Sequence, residues 1–174
     1  VAIYVGRLAG EKNLELVVEA YQRMKRDLPQ LRIVFVGDGP DRVKLERLIP
    51  EACFAGMQRG TDLAAHYASA DVFLFGSITE TFGNVVTEAM ASGLVVLAYD
   101  YAAAGRFIRT GENGLLAPFD DPAAFLDQAS HLATLRRKWP EMGRAARETM
   151  LPHSWDTIID KYLQELQSLL VRSA

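Results

Sequence analysis

Two carboxylates, Glu80 and Glu88, stand seven residues apart in the stretch Ser77-Ile78-Thr79-Glu80-Thr81-Phe82-Gly83-Asn84-Val85-Val86-Thr87-Glu88. The small residues between them read as a turn that opens a helix, with Thr81 as N-cap, Gly83 allowing close backbone approach and Glu88 about two turns in. A helix start exposes N–H groups without intrahelical partners and about half an elementary positive charge. Phosphate suits that position. Carboxylates beside it repel phosphate, so Glu80 and Glu88 must serve another part of a ligand. An ionised carboxylate accepts two good hydrogen bonds, and a diol is its natural donor. Phosphate together with polyol describes a sugar nucleotide.

Positive charge comes from a second segment, Gly6-Arg7-Leu8-Ala9-Gly10-Glu11-Lys12-Asn13, which follows the apolar run Val1–Val5. Arg7 can fork onto phosphate oxygens, while Lys12 acts as a point charge. A third segment, Gly37-Asp38-Gly39-Pro40, lacks the last glycine of a dinucleotide fingerprint and reads as a structural turn. A fourth, Ala55-Gly56-Met57-Gln58-Arg59, is placed to take a nucleobase against its backbone. Neither a Walker-type phosphate loop nor a serine-hydrolase elbow occurs. His66, His131 and His153 are scattered without metal-ligand spacing and read as surface or packing residues.

These loops need a scaffold that brings them to one edge. Short apolar runs are expected as strands at Val1–Val5, Arg32–Val36, Ala52–Ala55, Val72–Phe75, Val95–Ala98 and Gly114–Leu116. Several are apolar throughout, as in parallel strands buried on both faces. Helical spacing between them, as in Leu14, Val17, Val18, Tyr21, Met24 and Leu28, makes the fold class α/β, with a doubly wound parallel sheet. Ligands bind such sheets at the carboxyl ends of the strands. From about residue 122 to 171 the chain reads as helical. Asp121-Pro122 fits a capped helix start and Ser154 a second cap. The last helix carries a stripe of Trp155, Ile158, Ile159, Tyr162, Leu163, Leu166, Leu169 and Leu170.

The chain has 174 residues, 49% of them apolar, enough for one domain with a real core. Its net charge of −3 disfavours nucleic acid as a partner. The single Cys53, in the apolar run Ala52–Ala55, is expected as a buried inert thiol in a cytoplasmic protein. No run approaches the roughly 20 apolar residues that span a bilayer. The abrupt start on a strand reads as a piece cut from a longer protein.

The residues together resemble a known family. Val5-Gly6-Arg7-Leu8 with Glu11-Lys12-Asn13, Val36-Gly37-Asp38-Gly39-Pro40, Ala70-Asp71-Val72-Phe73-Leu74, the Glu80–Glu88 motif and Gly111-Glu112-Asn113-Gly114-Leu115-Leu116 are similar to the carboxyl-terminal domain of retaining GT-B glycosyltransferases of the GT4 type. That resemblance implies a single nucleotide-sugar-binding Rossmann-like domain over residues 1–174, the C-terminal half of a GT-B fold, with an N-terminal acceptor domain outside this chain. It implies that Arg7 and Lys12 hold the donor diphosphate, with Gly6 beside them and a cradle at Thr81, Phe82, Gly83, Asn84 and Val85. Glu80 is implied to bind the donor hexose, Glu88 the ribose, and Met57 to lie near the base. The implied reaction transfers a hexose from a nucleoside-diphosphate sugar, with retention and without a metal or other cofactor, to a sugar or a lipid-linked acceptor. A lipid-linked acceptor implies a place at the inner face of the membrane. Two sites depart from the pattern: Gly76-Ser77 replaces Pro-Ser, and Asp100-Tyr101-Ala102-Ala103-Ala104-Gly105 replaces a Gly-Gly-Pro-like turn. The isolated domain is expected to transfer little sugar and, through its last helix, to be able to dimerise. A non-catalytic nucleotide or sugar-phosphate binding module and a GT-B nucleotide-sugar epimerase are the alternative readings.

Overall fold

The computed structural model describes residues 1–172, apart from the side chains of Trp155 and of residues 169–172. Six parallel strands form one sheet: β1 (Ala2–Val5), β2 (Ile33–Val36), β3 (Cys53–Gly56), β4 (Val72–Phe75), β5 (Val95–Tyr99) and β6 (Gly114–Ala117). Each of the expected strands is present, shifted by no more than about a residue at either end. Their spatial order is β3-β2-β1-β4-β5-β6. The chain therefore steps outward from β1 to β3, crosses back to β4, and steps outward again the other way.

Every residue of β1, β4 and β5 is buried. These are the central strands, and they are apolar throughout because helices cover both of their faces. On one face α1 (Leu14–Asp27) packs against α6 (Pro122–Thr134). On the other, α4 (Asn84–Ala91) packs against α7 (Trp139–Met150). The shorter helices α2 (Arg42–Leu48), α3 (Gly60–Ala68) and α5 (Ala102–Phe107) complete the crossovers. Tyr4, Phe35, Phe73 and Phe75 form an aromatic cluster beneath the carboxyl edge of the sheet, with neighbouring ring centroids 5.5–6.4 Å apart. Each such ring buried stabilises the fold by about 1.5–3 kcal/mol.

The anticipated caps are in place. Asp121 accepts a hydrogen bond from the Ala124 N–H at 3.0 Å, with Pro122 at the first position of α6. Ser154 accepts one from the Thr157 N–H at 3.2 Å, at the start of α8 (Trp155–Arg172). Ile158, Ile159, Tyr162, Leu163 and Leu166 of the α8 stripe are exposed. Trp155, Leu169 and Leu170 of that stripe lie outside the described side chains. No helix among the described residues is long and apolar enough to cross a membrane.

Cys53 corrects the sequence reading, because it is exposed. It stands at the start of β3, the edge strand, so the apolar run around it is only partly covered. The Gly111–Leu116 segment also gains an explanation. Asn113 is buried there, and its Oδ1 accepts from the Arg109 N–H at 2.6 Å. Its Nδ2 donates to the Phe107 carbonyl at 3.1 Å and to the Thr149 hydroxyl at 3.0 Å, tying the end of α5 to α7. Asn113→Ala strands these buried partners and is expected to destabilise the chain by about 3 kcal/mol, read from urea unfolding.

Candidate active site

The sheet order puts β1 and β4 side by side, although their connections leave in opposite directions. In an open α/β sheet that reversal creates a crevice beyond the carboxyl ends of the two strands. The loop after β1 carries Arg7 and Lys12, and the loop after β4 carries Glu80. Both therefore open onto the crevice.

The β1 loop is held from below. The Tyr4 hydroxyl donates to the Arg7 carbonyl at 3.1 Å. Burial, with Glu80 and Glu11 nearby, pushes the Tyr4 phenol well above its ordinary pKa, so it remains a protonated donor. Gly37 brings the β2 loop against this one. Its φ is +138°, and a Cβ there would lie 1.9 Å from the Gly6 carbonyl oxygen. The Gly37–Gly39 turn is thus a packing device for the neighbouring loop, as its sequence suggested. Asn13, in the left-handed conformation (φ 52°), turns the chain from a short 3₁₀ turn at Gly10–Lys12 into α1.

Across the crevice Lys12 meets Glu80. Lys12 Nζ lies 2.6 Å from Glu80 Oε1, and the two side chains are only 18% and 15% exposed. The buried Ser77 hydroxyl donates to the same carboxylate oxygen at 2.7 Å, and the Tyr101 hydroxyl donates to the Glu80 carbonyl at 2.7 Å. The Thr79 hydroxyl donates to the Glu11 carbonyl at 3.1 Å, stitching the two loops together. Glu80 is therefore fixed at its main chain and at its side chain.

The helix beyond begins later than its sequence suggested. Gly83, with φ 90°, precedes α4, and no side chain caps that helix. Thr81 is exposed and is not the N-cap, because the left-handed turn at Gly83 delays the helix until Asn84. The first N–H groups of α4, at Asn84 and Val85, accordingly have no intrahelical acceptor. Glu88 sits just over one turn into the helix rather than two. Its Oε2 accepts from the Tyr67 hydroxyl of α3 at 3.0 Å. Burial and the adjacent Glu88 push the Tyr67 phenol far above its ordinary pKa, which keeps it a donor. Glu88, Asn84 and Phe82 border a groove of about 800 Å³ between α4 and α8.

Glu80, Phe82 and Gly83 thus line one small recess with Ser77 and Tyr101, Lys12 reaches Glu80 from the β1 loop, and Glu88 lies further along, in the groove beside α8. Arg7 and Met57 stand further out. Arg7 is paired with Glu11 at 3.2 Å and its side chain is 66% exposed. Met57 is 64% exposed beyond the end of β3, its sulfur 3.5 Å from a guanidinium nitrogen of Arg59. Among the described residues no three His, Cys, Asp or Glu side chains gather as a metal-holding group. Ser77, Tyr101 and Tyr67 were not expected from sequence as site residues. Ser77 follows the departure at Gly76 and Tyr101 lies within the other one, which marks the neighbourhood without indicating what they bond to.

Residues 1–134 match the model of the family described as Glycosyl transferases group 1. The chain belongs to that family. It is 39% identical over 170 residues to the GDP-mannose-dependent alpha-mannosyltransferase of Mycolicibacterium smegmatis, a match covering 97% of this chain and 43% of that protein. It is 36% identical over 174 residues to the sulfoquinovosyl transferase SQD2 of Arabidopsis thaliana, covering 97% of this chain and 33% of that one. The crystal structure of the pneumococcal O-GlcNAc transferase GtfA in complex with UDP and GlcNAc has the same fold, with a TM-score of 0.83 and 23% identity over 97% of this chain and 35% of that one. The six-stranded parallel sheet is therefore the Rossmann-like half of a GT-B architecture. This group 1 glycosyltransferase chain spans less than half the length of these two curated relatives.

Proposed function

We propose that the chain is the donor-binding half of a retaining hexosyltransferase that uses a nucleoside-diphosphate sugar. The observation that carries this reading is the Lys12–Glu80 contact across the β1/β4 crevice, beside the uncapped start of α4. One ligand can meet all three features only if it joins an anion to a polyol.

In this reading the diphosphate lies at the N–H groups of Phe82, Gly83, Asn84 and Val85, with Lys12 on its oxygens. Arg7 leaves Glu11 to join it, alongside the Gly6 backbone. Glu80 accepts from hexose hydroxyls and Glu88 from the ribose, while Met57 flanks the base. Breaking the anomeric C–O bond leaves negative charge on the diphosphate and an oxocarbenium-like sugar. Lys12, drawn away from Glu80, and the α4 N–H groups offset the charge on the leaving oxygens, and electrostatic stabilisation of this kind is commonly the largest catalytic contribution. Protein groups supply the positive charge, so we assign no metal to the step. The acceptor, a sugar or a lipid-linked glycoside, belongs between this domain and an N-terminal domain of the same enzyme. The exposed α8 stripe suits contact with that domain or, in the isolated chain, with a second copy. Cys53, exposed and unpaired, fits a reducing cytoplasm.

Calorimetric titration of the chain with GDP, UDP, GDP-mannose and UDP-glucose tests the binding half of this reading, and the relatives' names make GDP-mannose the first probe. Binding of a nucleotide sugar with a Kd of about 1 μM to 1 mM is expected, the range usual for enzyme substrates. Absence of binding by all four ligands contradicts it. Donor binding without hexose transfer by the whole protein would favour the non-catalytic module, and donor conversion without acceptor the epimerase.

A further inference from the structure

The side chains assigned above to the diphosphate and to the hexose of the donor grip each other. Lys12 and Glu80 are each more than four-fifths enclosed, and their charged atoms are 2.6 Å apart. Ser77 gives the same carboxylate oxygen a second hydrogen bond at 2.7 Å, and Tyr101 fixes the Glu80 main chain. The carboxylate is thus aimed at Lys12. An enclosed ion pair resists separation, because removing one partner leaves the other charge without a counterion and with little water.

We infer that the Lys12–Glu80 pair is a latch by which the site tells a nucleoside-diphosphate sugar from the bare nucleoside diphosphate left after transfer. The inference rests on the donor-site reading above. Any diphosphate must draw the Lys12 ammonium towards its own oxygens. That strands the Glu80 carboxylate beside a second anion. A ligand with a hexose compensates at once, because its hydroxyls donate to the freed carboxylate. A ligand without one offers Glu80 nothing. The pair therefore opposes the bare diphosphate more than the nucleotide sugar. When the hexose departs, Glu80 loses its donors and recaptures Lys12, which loosens the product. Product release limits turnover in many enzymes, so this recapture has kinetic value. Ser77 and Tyr101 are positioning residues here, since they hold the carboxylate where it can reclaim the ammonium.

Calorimetry on the chain and on Glu80→Gln tests this, with GDP, UDP, GDP-mannose and UDP-glucose as ligands. Glutamine keeps the shape of the side chain and removes its hold on the ammonium. The variant should bind the bare diphosphate about tenfold tighter and the nucleotide sugar no tighter, so that preference for the sugar-bearing ligand falls about tenfold or more. Ser77→Ala removes the second donor from the freed carboxylate, so it should weaken bare-diphosphate binding more than nucleotide-sugar binding and raise the preference for the sugar-bearing ligand by a few-fold. It also serves as the deciding variant if Glu80→Gln proves unfolded by circular dichroism. If the wild-type chain binds both ligand types and a folded Glu80→Gln does not strengthen bare-diphosphate binding, or, where that variant is unfolded, Ser77→Ala does not raise the preference, the latch is wrong and the donor-site reading stands. If the wild-type chain binds none of the four, the donor-site reading falls and the latch with it.

Discussion

Lys12→Ala lowers the affinity of the chain for a nucleotide sugar by about a hundredfold. A charge-assisted hydrogen bond contributes about 1.5–3 kcal/mol, which is a factor of roughly 10–100 in affinity. A second effect adds to this. With Lys12 gone, the Glu80 carboxylate faces the incoming diphosphate without a counterion. In the whole enzyme the loss in kcat/KM should be larger still, by a further factor of about 10² or more, because charge on the leaving diphosphate grows in the transition state. Lys12→Arg should not restore activity, since a planar guanidinium cannot reproduce the compact ammonium held 2.6 Å from Glu80. Stability should fall by only about 1–2 kcal/mol, well short of the loss for a fully buried pair, because Ser77 still holds Glu80 and both groups keep some contact with water. Titration calorimetry and steady-state transfer rates check these values. A Lys12→Ala chain that binds donor within threefold of wild type contradicts them.

Gly37→Ala is expected to be the most destabilising single-methyl change in the chain, at about 4 kcal/mol. The added Cβ would fall 1.9 Å from the Gly6 carbonyl oxygen and 2.9 Å from its carbon. Both atoms are backbone, so neither can rotate aside. Overpacking of this kind costs about 1–3 kcal/mol, and holding a non-glycine residue at φ +138° adds a comparable amount. The structure can relieve the clash only by separating the β1 and β2 loops, which moves Lys12. Donor affinity should therefore fall together with stability, although residue 37 is given no contact with the ligand. Gly111→Ala is the control. Its φ is also positive, at +86°, but a Cβ there meets nothing within 4 Å. It should cost about 1 kcal/mol and leave donor binding unchanged. Urea unfolding of the two variants measures the difference.

What the sequence disclosed follows a physical line. The strands were legible because the central ones are buried on both faces and must be apolar at every position, as in Val72-Phe73-Leu74-Phe75. Glu80 and Glu88 stand out in the sequence because they flank one helix start, Glu80 in the loop before α4 and Glu88 within it. Local propensity misled where tertiary structure decided. Thr81 has the chemistry of an N-cap, yet the left-handed Gly83 two residues later sets the start of α4. Cys53 sits in an apolar run, yet the sheet ends at its strand and leaves it exposed. The contacts that position the site could not be read at all. Lys12 and Glu80 are 68 residues apart, and Tyr67 and Glu88 are 21 apart on different helices. Such pairs arise only once the sheet order brings β1 beside β4 and packs α3 near α4.

The most direct test of the central claim is a crystal structure of this chain with an intact nucleoside-diphosphate hexose. The account predicts the diphosphate on Lys12 Nζ and the Asn84 and Val85 N–H groups, with hexose hydroxyls on Glu80 and the ribose on Glu88. A donor bound elsewhere, such as wholly within the α4–α8 groove with the Lys12–Glu80 pair intact, would contradict it.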